Sequence, residues 1–186
     1  MIEYKNLTDS IKYFELLEFN RIEVPWIVPE SVDAITRDVS TTPIVTKEGN
    51  LIASGEQGFL YLMLKGNLPK GKYCTITPCF RDDSYDMLHC PSFMKTELII
   101  VEPTIKERVN LFNNMIDSCV EFFSDFFLLS ELRVTETGKN MADIEAYKGG
   151  SWYELGSYGI RTHSHMTWIY GTACAEPRLS RLSKEV

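Results

Sequence analysis

Residues 73–81 and 93–101 are two stretches of β-forming, mostly apolar side chains, and the polar cluster Asp82-Asp83-Ser84 opens the segment between them. Such a pair reads as a strand, a polar loop and a return strand, so the chain is built around an antiparallel hairpin. Residues 132–135, 142–147 and 152–157 read as further strands. Lys148-Gly149-Gly150 is the turn between the last two, and residues 166–170 form another strand. Residues 21–28 also read as a strand, made edge-like or irregular by Pro25 within it and Pro29 after it. A short strand is expected at residues 51–54.

Helices are expected where the apolar period lengthens toward 3.6 residues. Residues 7–19 carry Ile11, Phe14, Leu16 and Leu17 after a capping cluster, Thr8-Asp9-Ser10. Residues 57–65 form a short helix that stops near Gly66. Residues 104–129 form the longest, with Val109, Phe112, Met115, Ile116, Cys119, Val120 and Phe123 on one side, and residues 171–182 are expected to open a C-terminal helix. The expected fold class is α+β: an antiparallel sheet of about six strands flanked by helices, not a βαβ repeat.

The 186 residues carry no repeat or Gly/Ser linker, so a single domain over residues 1–186 is expected. No run of eighteen apolar residues is present, and Met1-Ile2-Glu3-Tyr4-Lys5 lacks the features of a secretory signal. The expectation is a cytoplasmic protein with no membrane partner. A net charge of −7 argues against a mainly electrostatic grip on nucleic acid. The five cysteines form no CxxC pair and are expected to be reduced thiols. Neither GxGxxG nor a Walker A sequence occurs, so the two commonest phosphate loops are absent.

Three stretches, in order, resemble the three motifs of class II aminoacyl-tRNA synthetases. Phe19-Asn20-Arg21-Ile22-Glu23-Val24-Pro25-Trp26-Ile27-Val28-Pro29 resembles motif 1. Cys79-Phe80-Arg81-Asp82-Asp83, a loop, and His89-Cys90-Pro91-Ser92-Phe93 resemble motif 2, and Phe93-Met94-Lys95-Thr96-Glu97 is similar to the seryl form of its return strand. Gly171-Thr172-Ala173-Cys174-Ala175-Glu176-Pro177-Arg178-Leu179 resembles motif 3. Ser54-Gly55-Glu56 is similar to the Thr-x-Glu loop of the seryl branch. Asp143-Ile144-Glu145 and Glu154-Leu155-Gly156-Ser157 are similar to its later strands.

The resemblance implies a catalytic domain that binds ATP and an amino acid and forms the aminoacyl adenylate, chemistry carried by electrostatic stabilisation and positioning. Arg81 would clamp the α-phosphate and the amino acid carboxylate with a planar fork; otherwise it is a strand arginine in a surface ion pair. Arg178 would meet the γ-phosphate and the adenine from the start of the last helix, whose N-terminus would help; otherwise it is a solvated helix arginine. Phe93 would stack on adenine, or be a core side chain. His89 would touch the terminal phosphates, and Asp83 the adenine amino group. Glu154 and Ser157 would hold magnesium, but strict alternation puts them on opposite faces, so a bulge near Gly156 is required. Glu56 would receive the substrate ammonium, or merely favour a helix start. Thr162 resembles a substrate-pocket threonine, although Arg161, His163 and His165 around it do not match. Cys79 resembles a zinc ligand of threonyl and atypical seryl enzymes, with Cys174, His163 or His165 as partners; the plainer reading is a small buried cysteine.

Asp83 stands where the family has glutamate, and Ala173 and Ala175 where motif 3 has glycines. No anticodon-binding domain or coiled-coil arm accompanies the motifs, so the expected acceptor is a carrier protein or small molecule before a full tRNA. Loading of tRNA through its acceptor stem or with a partner subunit, and a catalytically silent binding domain, stay open. Motif 1 implies a homodimer through residues 19–29.

Overall fold

The computed structural model describes residues 1–38, 41–82 and 90–183. Its nine strands are β1 (Asn20–Arg21), β2 (Ile27–Val28), β3 (Asn50–Leu51), β4 (Gly71–Phe80), β5 (Ser92–Val101), β6 (Leu132–Gly138), β7 (Met141–Lys148), β8 (Ser151–His163) and β9 (Met166–Glu176). The helices are α1 (Tyr4–Leu16), α2 (Glu30–Asp33), α3 (Gly55–Leu64), α4 (Arg108–Phe123) and α5 (Arg178–Ser183). Seven strands form one sheet in the order β1-β4-β5-β9-β8-β7-β6, and β2 and β3 form a separate pair. No described helix is long and apolar enough to cross a membrane.

The hairpin expected from the sequence is β4–β5, in unbroken register from Gly71 opposite Val101 to Phe80 opposite Ser92. Every other neighbour in the large sheet is antiparallel except β1, which pairs parallel to β4, so the sheet is mixed. The expected strand over residues 21–28 is split in two. Ile22 donates its N–H to the Cys74 carbonyl at 3.0 Å, and beyond Pro25 the chain turns to pair with β3 instead.

α1 begins one turn before its expected cap. Glu3 caps it, and Thr8 and Ser10 lie inside, their hydroxyls donating back to the carbonyls of Tyr4 at 2.9 Å and Leu7 at 3.0 Å. Leu7, Ile11 and Phe14 form its buried stripe, while Leu16 is exposed. In α4 the buried positions are Phe112, Met115, Ile116, Cys119, Phe122 and Phe123; Val109 faces solvent. The C-terminal helix starts later than expected, because residues 171–176 continue β9 against β5. Small side chains there lie flat in a buried ladder, and pairing outweighs the helix propensity of alanine.

The two faces of the sheet differ. On one, Leu98 and Ile100 pack with Leu7, Ile11, Phe14, Phe112 and Phe123 from α1 and α4. On the other, Ile99 and Val101 pack with Phe59 and Leu60 of α3 and with Val28 and Ile52. That second cover stops partway along the hairpin. The residues of β5, β9 and β8 beyond it are left facing an open, polar region.

Candidate active site

Alternation along β5 puts Phe93, Lys95 and Glu97 on the same face as Ile99 and Val101, on the uncovered part. Arg81, just past the end of β4, leans over this face. Its guanidinium carbon lies 5.1 Å from the centre of the Phe93 ring, and its Nε donates to the Ala53 carbonyl at 3.2 Å. Neither contact is with a carboxylate.

Glu154 and Ser157 are brought to one face by an irregularity in β8. Ser157 pairs with Asp143 and Gly156 with Ile144, yet Glu145 pairs with Glu154, leaving Leu155 as an extra residue. This is the bulge that the spacing requires. Asp143 therefore stands beside Ser157 and Glu154. Burial pushes its carboxyl above the usual range against the hydrogen bond from Ser157, with Glu154 and Glu145 adding to the rise.

Arg178 opens α5 and reaches across to this strand, donating from Nη1 to the Glu154 carboxylate at 3.1 Å and to its backbone carbonyl at 3.2 Å. α5 has only six residues and is preceded by Pro177, and the Arg178 guanidinium is the charged group at its start. Arg81, Phe93, Lys95, Glu154, Ala175 and Arg178 line one narrow cleft with about 40 Å3 of free space. The Arg178–Glu154 bridge spans it.

A roomier polar cavity of about 340 Å3 adjoins the cleft and shares Arg81, Lys95 and Thr172 with it. Its wall includes Ser54, Glu56, Glu97, Ser157, Arg161 and Tyr170. Glu97 is a hub: it pairs with Lys95 at 2.6 Å, accepts from the Ser54 hydroxyl at 2.8 Å, and accepts from the Glu56 N–H at 2.8 Å. It thus caps α3 from a neighbouring strand. Gly55 is needed for that approach, since a Cβ there would lie 2.6 Å from Thr77 and 3.0 Å from the Glu97 carboxylate.

A family model described as tRNA synthetases class II core domain (F) matches residues 53–173. The chain belongs to that family. Among solved structures, this class II core is similar to the cytoplasmic serine-tRNA ligase of Naegleria fowleri in complex with AMP, with a TM-score of 0.78 and 18% identity over 97% of this chain and 54% of that one. Seryl-tRNA synthetase from Pyrococcus horikoshii, complexed with ATP, gives 0.74 and 16% over 93% and 48%. The pyrrolysyl-tRNA synthetase PylSc of Desulfitobacterium hafniense gives 0.72 and 15% over 98% and 73%. At such identities the likeness is one of fold. The chain spans about half the length of the two seryl enzymes. No curated protein matches it significantly in sequence.

Within the class II core, the residues singled out from sequence fall into three groups. Arg81, Phe93, Glu154 and Arg178 meet in the cleft, and Glu56 and Ser157 line the cavity beside it. Asp83 and His89 lie outside the described residues. The remaining two lie apart from the site, Thr162 against what the resemblance implies and Cys79 in keeping with its plainer reading as a small buried cysteine. Thr162 sits on the opposite face of β8 from Ser157 and Arg161, exposed, with its hydroxyl 3.1 Å from that of Thr167. Cys79 is fully buried, and burial pushes its thiol up to about 12, so it stays protonated. Among the described residues no three Cys, His, Asp or Glu side chains stand close enough to hold a metal, so they build no zinc site around it.

Glu56 is also more committed than expected. Its carboxylate accepts from Arg161 Nη1 and from Trp168 Nε1, each at 2.6 Å. Burial pushes this carboxyl up, against the opposing pull of Arg161 and the Trp168 hydrogen bond. Lys95, Glu97 and Arg161 are the site residues that sequence reasoning left without a role. Counting in twos from Phe93 would have found the first two; nothing local marks the third.

Proposed function

We propose that this chain binds ATP and an amino acid and joins them as an aminoacyl adenylate. The observation that carries this reading is the meeting of Arg81, Phe93, Glu154 and Arg178 in one cleft that opens into a polar cavity. The substrate carboxylate would attack the α-phosphorus, forming the acyl–phosphate bond as the bond to pyrophosphate breaks. Arg81 stands where cleft and cavity join, with N–H donors to spare for the carboxylate and the α-phosphate. Phe93 offers the adenine a flat face, and Arg178 a cation for the departing pyrophosphate. Glu97 or Glu56 would take the substrate ammonium.

Nucleotide entry must part Arg178 from Glu154. Their side chains are 20% and 48% exposed, and a bridge so placed contributes about 1 kcal/mol or less, so it opens readily. Glu154 and Ser157 supply a carboxylate and a hydroxyl on one face, a donor set that suits magnesium completed by phosphate oxygens and water. Bound there, the metal would offset phosphate charge. Outer partners of metal ligands alone affect affinity by roughly 10–100-fold. Glu154→Gln is therefore expected to raise the magnesium needed for half-maximal activity by about tenfold or more, read from a magnesium titration; an unchanged midpoint removes this ligand.

Residues 1–186 are taken as one domain, supported by the contact of Asn6 in α1 with Glu176 of β9, Nδ2 to Oε1 at 2.8 Å. The acceptor of the acyl group is proposed to be a carrier protein or small molecule, with tRNA as the alternative. A two-fold dimer through residues 19–29 is proposed as well, supported by the side of β1 that has no partner strand among the described residues and by Trp26, 55% exposed. Sedimentation at micromolar concentration should give twice the chain mass; a monomer would refute the dimer. The test of the whole reading is amino acid-dependent ATP–pyrophosphate exchange across the twenty amino acids. Exchange with one or a few supports activation, while no exchange and no ATP binding would favour a silent binding domain.

A further inference from the structure

Arg161 takes no part in the adenylation geometry above, yet it is one of the most firmly held side chains in the cavity. On the site face of β8 the sequence runs Ser157, Gly159, Arg161. A Cβ on Gly159 would lie 2.5 Å from the Tyr170 ring, so that ring lies directly over the glycine. The Arg161 guanidinium sits 4.2 Å from the centre of the same ring. Its Nη1 donates to Glu56 at 2.6 Å, and Glu56 is locked from behind by Trp168. Two sides of the guanidinium are thereby fixed, while the side chain keeps 32% of its surface exposed and lines the cavity.

A guanidinium has five N–H donors in a rigid plane. Glu56 is the only hydrogen-bond partner of Arg161 among the described residues. The other cations of the cavity are differently placed: Lys95 is held by Glu97, and Arg81 stands at the junction with the cleft. Arg37, also in the wall, is held by Asp33 at 2.6 Å, and its Nη1 too has no partner among the described residues. Because Glu56 balances the charge of Arg161, what this guanidinium lacks is an acceptor more than a counter-ion.

We infer that the cavity selects an amino acid whose side chain ends in a planar oxygen acceptor, a carboxylate or a carboxamide, and that Arg161 is the residue that reads it. The inference rests on the activation reading for the direction of the substrate, α-carboxylate at Arg81 and side chain toward Tyr170 and Arg161. A planar fork held flat on a ring meets the two oxygens of a carboxylate with two donors at once, and can give both donors to the single oxygen of a carboxamide. A hydrocarbon side chain would displace water and leave those donors unpaired, and sites built to hydrogen-bond a substrate reject such analogues strongly.

The test is calorimetric titration of the intact chain with single amino acids, in the presence of magnesium and a non-hydrolysable ATP analogue. One of Asp, Asn, Glu or Gln should bind roughly 100-fold or more tightly than its apolar counterpart Leu or Met, and than Ser or Ala. The carboxylate and carboxamide arms tell the two sources apart. Arg161→Met should weaken that ligand by about 100-fold. Arg161→Met with Glu56→Gln, which leaves no unpaired carboxylate behind, should bind that ligand far more weakly than Glu56→Gln alone while holding its fold by circular dichroism. Preferred binding of Ser, Ala or Leu, no amino acid binding at all, or a double variant that binds as tightly as Glu56→Gln alone would each overturn the inference. Exchange assays on the same samples read activation separately. Selective binding without exchange removes activation and leaves the inference standing, and exchange that runs best with an apolar amino acid does the reverse.

Discussion

Arg81→Ala should lower amino acid-dependent ATP–pyrophosphate exchange by about 100- to 1,000-fold, the effect of deleting one preorganised donor aimed at developing charge. The melting temperature should stay close to that of the unaltered chain. Both halves of the expectation come from the surroundings of this side chain. It holds a backbone carbonyl and lies over Phe93 but satisfies no carboxylate among the described residues, so its removal strands no buried charge there. Arg81→Lys keeps the charge and loses the planar fork, and should recover only a small part of the activity. Exchange at the original rate in Arg81→Ala would remove the arginine from the reaction; a collapse of the melting curve would show it to be structural.

The opposite balance is expected at Glu97. Its side chain is 5% exposed, its partner Lys95 is 12% exposed, and it also accepts from Ser54 and from the first turn of α3. Removing one member of a buried pair leaves the other uncompensated, at a cost of about 3–5 kcal/mol. For a chain of this size each kcal/mol moves the midpoint by roughly 2–4 °C. Glu97→Ala should therefore melt about 10 °C lower, and Glu97→Gln, which still accepts from Ser54 and the Glu56 N–H, should lose less. Calorimetry decides. A midpoint unmoved in Glu97→Ala would mean that neither the ion pair nor the cap contributes as the geometry indicates.

The parts of the fold legible in the sequence are those where local pattern and long-range pairing agree. The β4–β5 hairpin is one, since two β-forming runs flank a polar segment; α4 is another, since its buried positions follow the helical period. Where they disagree, tertiary structure wins. Residues 171–175 are small, carry no alternation to betray a strand, and take their conformation from β5. Residues 21–28 have strand-forming side chains, but Pro25 lets the chain leave one sheet and enter another.

The site divides the same way. Arg81, Phe93, Glu154, Ser157 and Arg178 were found through the resemblance, and the cleft and its adjoining cavity bring them together. Thr162 was misplaced because strand phase, which a match of residue type ignores, turns it away from Arg161. Arg161 itself could not be found locally. Its importance comes from Glu56, 105 residues earlier in the chain, and from a tyrosine on the next strand.

The extra residue at Leu155 puts the site under the control of odd and even counting. From Glu154 to Ser157 the chain takes three steps, while their partners Glu145 and Asp143 are two apart. One residue added to β7 between Ile144 and Glu145 would give Leu155 a partner, restore a regular ladder and swing Glu154 to the far side from Ser157. One residue removed at Leu155 would leave both on the site face of the sheet. Two length changes of equal size, on neighbouring strands, thus have opposite outcomes for the same pair of side chains, and neither outcome could be read from the identity of the residue gained or lost.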